Sequence, residues 1–303
     1  MTRSDLRVGM VGLGAIGLPM AVNLRRAGYT LKVHTRSRTA EQHPDLHGSQ
    51  ACNSAEETSR DVDVLILCVS DDAAVNSVLF GCQGAAASLP PGSVVLDCST
   101  IAPSTAVASA ERLLQQGVHY IDAPVTGGTE GARAGTLTVL AGGDAEALER
   151  VRPLLAVIGG TVHHFGAVGR GQQVKAVNQV LVAGSYAAVA EAMALGSHLN
   201  LPMQDVVVAL SSGAAGSWAL SNRANGMLAG HYPLGFRLNL HHKDLSIALK
   251  EAESVQLTLP ISALVKQQEA ELIARGHGDE DVSALHRLLT RSRNGQSTSG
   301  LRH

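Results

Sequence analysis

Arg7-Val-Gly-Met-Val-Gly12-Leu-Gly14-Ala-Ile-Gly17-Leu-Pro-Met20 is the stretch that decides the fold. Arg7–Gly12 reads as a short apolar strand and Ala15–Ala27 as a helix, with the spacing G-x-G-x-x-G between them. Each glycine has its own reason. Gly12 permits a tight turn, Gly14 lets backbone approach a pyrophosphate, and Gly17 lets helix and strand pack closely. The helix N-terminus then offers N–H donors and a partial positive charge to the phosphates. Leu13, Ala15 and Ile16 complete the candidate cofactor loop. A lone G-x-G-x-x-G is a weak signal. This one lies between strand and helix and is followed by a second strand, Thr30–Thr35, so a dinucleotide loop is favoured over a plain glycine-rich turn.

Outward from the loop, strands and helices alternate. Asp63–Val69 is a continuous apolar strand, as expected where both faces are covered, and Ser93–Cys98, His119–Ala123, Thr136–Ala141 and Thr161–Phe165 repeat the theme. Ser54-Ala-Glu-Glu57 is a capping box, because Ser and Glu can satisfy each other's backbone donors. Alternation of this kind predicts an α/β fold, a Rossmann-type doubly wound, mostly parallel sheet. After about Gly169 no convincing strand follows. Gln172–Leu199 reads as one long helix ended by Asn200-Leu-Pro202, and helices follow at about 203–210, 218–228, 240–254, 261–275 and 282–290. The expected domains are therefore a nucleotide-binding domain at 1–168 and an all-helical domain at 169–290, joined by the long helix. The polar, Ser/Gly-rich stretch 291–303 reads as a disordered tail.

Composition narrows the function classes. The 303 residues are 45% hydrophobic but only 3% aromatic, so the core must be mostly Ala, Val and Leu. A net charge of −2 without a basic patch argues against nucleic acid and anionic membranes as partners. Met1–Asp5 is polar and lacks the apolar run of a signal peptide. Cys52, Cys68, Cys82 and Cys98 form no C-x-x-C pair, and reduced thiols fit a cytoplasmic protein. Ala176–Ala190 carries no charge, but Asn178 and Gln179 interrupt it and Lys175 and Glu191 bracket it, so a buried core helix is expected rather than a membrane span.

The end of the second strand bears on the cofactor. NAD sites place an acid about 20 residues after the glycine loop to hold the ribose hydroxyls. Here the strand runs out as Val33-His34-Thr35-Arg36-Ser37-Arg38, with no acid before Glu41. Arg36 can pair with a 2′-phosphate while Thr35 and Ser37 donate hydrogen bonds. The competing reading is a solvated Arg cluster at a strand end. The predicted cofactor is NADP, with NAD as the alternative. Val69 and Ser70, closing the Asp63–Val69 strand, join the cofactor-binding set.

With these residues in place the chain resembles the β-hydroxyacid dehydrogenases, which include 3-hydroxyisobutyrate dehydrogenase and tartronate semialdehyde (2-hydroxy-3-oxopropionate) reductase. The likeness rests on Gly12–Leu24, Asp97-Cys-Ser-Thr100, Asp122-Ala-Pro-Val-Thr-Gly-Gly128, Gly169-Arg-Gly-Gln-Gln-Val-Lys175-Ala-Val-Asn178-Gln179 and Gly235-Phe-Arg-Leu-Asn-Leu-His-His-Lys243-Asp244, spread over nearly the whole chain. The resemblance implies hydride transfer between nicotinamide and a small β-hydroxy acid or its semialdehyde. It also implies a homodimer or homotetramer built through the helical domain. Lys175 corresponds to the catalytic lysine, Thr100 to the threonine beside the nicotinamide ribose, and Thr126, Gly127 and Gly128 to the substrate carboxylate loop. Lys243 corresponds to a lysine that closes over cofactor and substrate. Four positions depart from the family pattern: Ile16 for Met, Thr35 for Asn, Thr126 for Ser and Gln179 for Asn. The last motif, with Ser217-Trp218 before it, leans toward tartronate semialdehyde reductase.

The chemistry is consistent with those roles. Lys175, Asn178 and Gln179 are spaced i, i+3 and i+4, so they share one helix face in an otherwise apolar run. Buried polar groups need partners, and a substrate is one; a structural network between the domains is the other. Lys175 would protonate the carbonyl oxygen as hydride arrives, its pKa lowered by burial, with Asn178 or Gln179 orienting that oxygen. His163-His164 and His241-His242 are adjacent pairs whose side chains diverge, so no metal is expected. Trp218 and Phe236 fit either a substrate mouth or a packing anchor, and Lys243-Asp244 on its own fits a surface ion pair. Two further readings stand beside the dehydrogenase: an imine reductase of related fold, whose members generally lack a lysine at the position of Lys175, and a non-catalytic cofactor-binding sensor or scaffold.

Overall fold

Short runs of Val, Leu, Ile and Met build the central sheet. The strands β1 (Val8–Val11), β4 (Val64–Leu67) and β5 (Val94–Asp97) are buried at every position, the pattern of strands covered on both faces. They belong to a computed structural model that describes residues 6–290. The expected disordered tail at 291–303 and the polar opening Met1–Asp5 lie outside the described residues.

In chain order, β1 is followed by α1 (Gly17–Arg26), β2 (Leu31–His34), β3 (Gln50–Ala51), α2 (Ala55–Ser59), β4, α3 (Asp72–Phe80), β5, α4 (Pro103–Leu114) and β6 (His119–Asp122). Then come β7 (Val125–Thr126), α5 (Gly128–Ala134), β8 (Leu137–Ala141), α6 (Ala145–Ile158), β9 (Gly159–His164) and α7 (Arg170–His198). The main sheet has the order β3-β2-β1-β4-β5-β6 with every pair parallel. This is the doubly wound order expected, and the direction of winding reverses between β1 and β4. Ligands of such sheets bind at the carboxyl ends of the strands at that reversal. Alternation along β4 splits the core: Val64 and Ile66 pack on the face that holds Met20 and Leu24 of α1, Leu65 and Leu67 on the face of Leu79 and Leu113.

Two features differ from the sequence reading. The last two expected strands do not extend the parallel sheet; with β7 they form a separate sheet of order β7-β8-β9, antiparallel between β7 and β8. The chain turns away after β6 because Pro124 has no N–H for a ladder and because Gly127 (φ 128°) and Gly128 (φ 64°) adopt conformations that side chains resist. The capping box at α2 is also rearranged. The Glu57 N–H donates to Ser54 Oγ at 3.1 Å, but the return bond to the Glu57 carboxylate comes from Asn53 N–H at 2.7 Å.

The chain divides into two compact units at Asn178/Gln179, inside α7. The second unit adds α8 (Met203–Ser211), α9 (Trp218–Ala229), α10 (Leu238–Ser254), α11 (Pro260–Ala274) and a 3₁₀ segment at Val282–Leu288, where the sequence pattern predicts an ordinary helix. Asn200, at φ 55°, ends α7 two residues before Pro202. On α7 the stripe Ala183, Tyr186, Ala190, Met193 faces the core of this unit, together with Leu220, Met227, Leu245 and Leu272. The uncharged run is thus not buried all round, as the sequence suggests. It is apolar on every side while the core takes one stripe, which leaves Val177, Leu181 and Leu195 more than 60% exposed. Among the described residues α7 alone is long and apolar enough to cross a membrane by length and composition; 39% of its most apolar window is buried.

Candidate active site

The glycine loop has the shape its spacing predicts. A Cβ on Gly12 would lie 2.2 Å from the Cys68 carbonyl, where the chain leaves β4, and one on Gly17 would lie 2.0 Å from Gly12 O. A Cβ on Gly14 would meet nothing within 4 Å. So Gly12 and Gly17 are required by packing, whereas Gly14 borders open space. No side chain caps α1, a feature it shares with α4, α5, α8, α10 and α11, and beside it Gly14 borders open space. An uncapped helix start beside open space fits a pyrophosphate. Leu13 N–H donates to Thr35 Oγ1 at 3.4 Å, which ties the loop to the end of β2.

At that end, Arg36 and Ser37 are exposed, while the first acid, Glu41, is turned inward against Thr35 N–H (2.8 Å) and Arg38 Nε (2.9 Å). Among the described residues Arg36 makes no hydrogen bond or ion pair, so its guanidinium is available to a ligand.

The carboxyl ends of β4, β5 and β6 are joined by a buried polar network. The Asp97 carboxylate accepts from Ser99 N–H (2.9 Å) and Tyr120 Oη (2.7 Å), and Ser99 Oγ accepts from Val69 N–H (2.9 Å). Gln172, in the first turn of α7, donates from Nε2 to Ser99 O (2.8 Å) and accepts from Ile101 N–H (3.2 Å). Asp122, fully buried at the end of β6, caps α7: its Oδ1 accepts from Gly169 N–H at 2.7 Å and its Oδ2 from Gln172 N–H at 2.8 Å. There is no room for side chains around it. A Cβ on Gly142 would come within 2.6 Å of Asp122 Oδ1 and one on Gly171 within 2.2 Å of Leu140 O. Burial pushes the Asp122 carboxyl up to about 6, while its backbone N–H partners hold it down. Burial likewise raises Asp97, against the pull of the Tyr120 and Ser99 bonds. Asp122 and Gln172 lie within motifs quoted above, but nothing in the sequence assigns them this role. For Asp122 the available signal was a charged side chain closing an apolar strand; Gln172, among Arg170, Gln173 and Lys175, carried none.

One turn beyond Gln172, Lys175 is 6% exposed and donates from Nζ to Val125 O at 2.9 Å. Its amine thus lies beside the Val125–Gly128 segment, and the predicted lysine and predicted carboxylate loop are brought together. Thr126 and Asn178 are half-buried, and Thr100, at the end of the Asp97 motif, is half-buried too. Gln179 is fully buried, and its Nε2 donates to Asp244 Oδ2 at 2.6 Å. Asp244 in turn holds Lys243 Nζ at 2.9 Å, so the ion pair anticipated for Lys243-Asp244 is present but mostly covered. Next to it His241, also fully buried, meets Glu269 Oε1 at 2.5 Å through Nδ1 and Gln179 O at 3.3 Å through Nε2. No local pattern announces that pair, because its members are 28 residues apart. Phe236 packs edge-on against His241, whereas Trp218 is 48% exposed with the Arg223 guanidinium over its ring. Cys98 is buried and Cys68 half-buried, as small hydrophobes. Among the described residues no group of three or more His, Cys, Asp or Glu is arranged to hold a metal ion.

A doubly wound sheet with an open glycine loop at its reversal, and a buried lysine against the segment that follows β6, fits a dinucleotide-dependent oxidoreductase. The comparisons agree. Residues 7–166 match the family described as the NAD binding domain of 6-phosphogluconate dehydrogenase. Residues 169–289 match the one described as NAD-binding of NADP-dependent 3-hydroxyisobutyrate dehydrogenase. The chain is 36% identical over 284 residues to 2-hydroxy-3-oxopropionate reductase of Escherichia coli, covering 94% of this chain and 97% of that one. It is 32% identical over 297 residues to 2-(hydroxymethyl)glutarate dehydrogenase of Eubacterium barkeri, covering 98% of each. A crystal structure of 3-hydroxyisobutyrate dehydrogenase from Salmonella typhimurium superposes with a TM-score of 0.86 at 31% identity, over 94% of this chain and all of that one. The chain therefore belongs to the β-hydroxyacid dehydrogenase family. It is an NAD(P)-dependent dehydrogenase acting on CH–OH groups.

Proposed function

We propose that this dehydrogenase prefers NADP and reduces tartronate semialdehyde, or a close polar relative, to the hydroxy acid. The observation that carries the reading is the Lys175 Nζ bond to Val125 O, which sets a buried amine beside Thr126, Gly127 and Gly128. The nicotinamide, when bound, supplies the hydride. Lys175 holds the proton that the carbonyl oxygen takes up, and as an ammonium it stabilises the developing alkoxide. Val125 O fixes the direction of Nζ, and Asn178, three residues on, orients the reacting oxygen. Thr126, Gly127 and Gly128 take the substrate carboxylate, one or two carbons from the carbonyl. The Gln179 amide is engaged by Asp244 and does not take the reacting oxygen. The extra methyl of Thr126 favours a small polar substrate over a branched one. NADP preference is supported by Arg36 and Ser37, which are exposed beside the loop.

Four free cysteines fit the reducing cytoplasm, and exposed Leu195, Leu199, Val208 and Ile261 on the helical unit fit assembly into a homodimer or homotetramer.

The test compares kcat/KM for tartronate semialdehyde, for 3-hydroxyisobutyrate, and for an uncharged analogue lacking the carboxylate. A preference of about tenfold or more for tartronate semialdehyde over 3-hydroxyisobutyrate is expected, with near-complete rejection of the analogue, because a site built around polar donors rejects a substrate that leaves them unpaired. The reverse preference overturns the substrate, and equal turnover of the analogue overturns the carboxylate loop.

A further inference from the structure

The two arginines after β2 are held in opposite states. Arg38 adopts φ 61°, a conformation uncommon for non-glycine residues. Its Nε meets Glu41 Oε2 at 2.9 Å, and its Nη1 donates to Asn53 Oδ1 at 3.1 Å. Asn53 is itself tied by its N–H to Glu57. Arg36, two residues earlier, is exposed and engaged by none of these groups. Glu41 separates the two states. Its side chain is only 3% exposed, with Oε1 on Thr35 N–H at 2.8 Å and Oε2 on Arg38. His34 Nδ1 lies 3.5 Å from Oε1 but is closer, 3.0 Å, to Cys52 O.

An acid at the end of the second strand of a dinucleotide site reaches the ribose hydroxyls, where it would repel a 2′-phosphate, and Glu41 is the first acid after β2. Here the carboxylate is turned under the loop and its charge is met by Arg38. The Thr35 N–H is also consumed from below, which fixes the backbone from which Arg36 and Ser37 project. We propose that Glu41 is a specificity-positioning residue: by folding inward onto Thr35 and Arg38 it presents Arg36 to the 2′-phosphate and withdraws the negative charge that would favour NAD. This inference rests on the NADP reading above and acts through Arg36.

The experiment measures binding of two fragments by calorimetry, 2′,5′-ADP with the 2′-phosphate and 5′-AMP without it, alongside KM for NADP and NAD. Arg36→Ala is expected to weaken 2′,5′-ADP by about tenfold or more, the size of one lost charge-assisted bond, and to leave 5′-AMP within about twofold. Glu41→Ala is expected to weaken 2′,5′-ADP by about fivefold and to raise KM for NADP without lowering kcat at saturating NADP. Glu41→Gln, whose amide oxygen can still accept from Thr35 N–H, should retain binding within about threefold. Because Glu41 acts through Arg36, the double variant should be no weaker than Arg36→Ala within about twofold. Arg38→Ala provides a second route, since it leaves the Glu41 charge unpaired beside the site and should also weaken 2′,5′-ADP selectively. Losses that multiply in the double variant, or equal losses for 5′-AMP, overturn the proposal for Glu41. An Arg36→Ala protein that binds 2′,5′-ADP normally overturns the NADP reading itself.

Discussion

Replacing Asp122 by Asn tests how the start of α7 is held. The carboxylate accepts from Gly169 and Gln172 N–H at 2.7 and 2.8 Å, and Lys175 follows Gln172 by one turn. An amide keeps one acceptor and turns a donor toward the other N–H, which leaves a buried donor unmatched at a cost of about 1–3 kcal/mol. The first turn must shift to relieve this, and Lys175 shifts with it. Misplacement of a reacting group by about 1 Å can cost about 10²-fold, so kcat should fall at least about tenfold while NADPH binding holds. The pH dependence gives a second, independent reading. Burial raises the folded-state Asp122 carboxyl from 3.8 to about 6, with neighbouring Asp97 adding a smaller push in the same direction. At about 1.36 kcal/mol per pKa unit this is worth about 3 kcal/mol. Because the folded value lies above the unfolded one, the native state binds the proton more tightly. The stabilisation is therefore full below pH 3.8 and is lost as pH rises through about 6. Denaturant unfolding at pH 4.5 and 7.5 should show the normal protein losing about 2 kcal/mol relative to Asp122→Asn over that interval, after the titrations common to both proteins cancel. Parallel pH profiles for the two proteins, or unchanged kcat in the variant, would refute the argument.

The remaining predictions concern the reacting groups and the glycine loop. Lys175→Ala should lower kcat by about 10²–10⁴-fold with NADPH affinity preserved; a variant keeping more than about a tenth of normal kcat removes Lys175 from the proton transfer. Gly14→Ala should leave thermal stability unchanged or slightly raised, since its Cβ would meet nothing within 4 Å, yet lose cofactor binding measured by NADPH fluorescence. Gly17→Ala should do the opposite in kind, destabilising the fold by about 1–3 kcal/mol or more, because its Cβ would lie 2.0 Å from Gly12 O. If both alanine variants were equally unstable, Gly14 would be a packing glycine and the open space beside it irrelevant to the cofactor.

The parts of this protein that were legible in its sequence are those with a short-range signature. A run such as Asp63–Val69 has no alternation and few charges, so it reads as a doubly covered strand, and its centre is found as Val64–Leu67. The glycine spacing likewise carries its own geometry. The long helix was visible from its uninterrupted pattern and its Asn-Leu-Pro stop, and spans Arg170–His198. Val125–Thr126 was not legible as a strand, because two residues have no period and their pairing with Thr138 and Val139 depends on a turn made by two positive-φ glycines. The candidate site shows the same division. Lys175, Thr126, Gly127 and Gly128 were all named from the sequence, but only folding sets Nζ on the Val125 carbonyl.

By itself, then, the amino-acid sequence determined the order of strands and helices, the cofactor loop and the family, because hydrophobic period, capping and glycine placement act over a few residues. Tertiary structure alone decided which polar groups are spent on one another. Glu41 reads as an acid near a strand end but is consumed by Thr35 and Arg38. Asp122 caps a helix that begins 48 residues later, and His241 finds Glu269 from another helix. Such pairings join distant segments, and their energies come from desolvation and hydrogen-bond geometry, which exist only once the chain has closed around them.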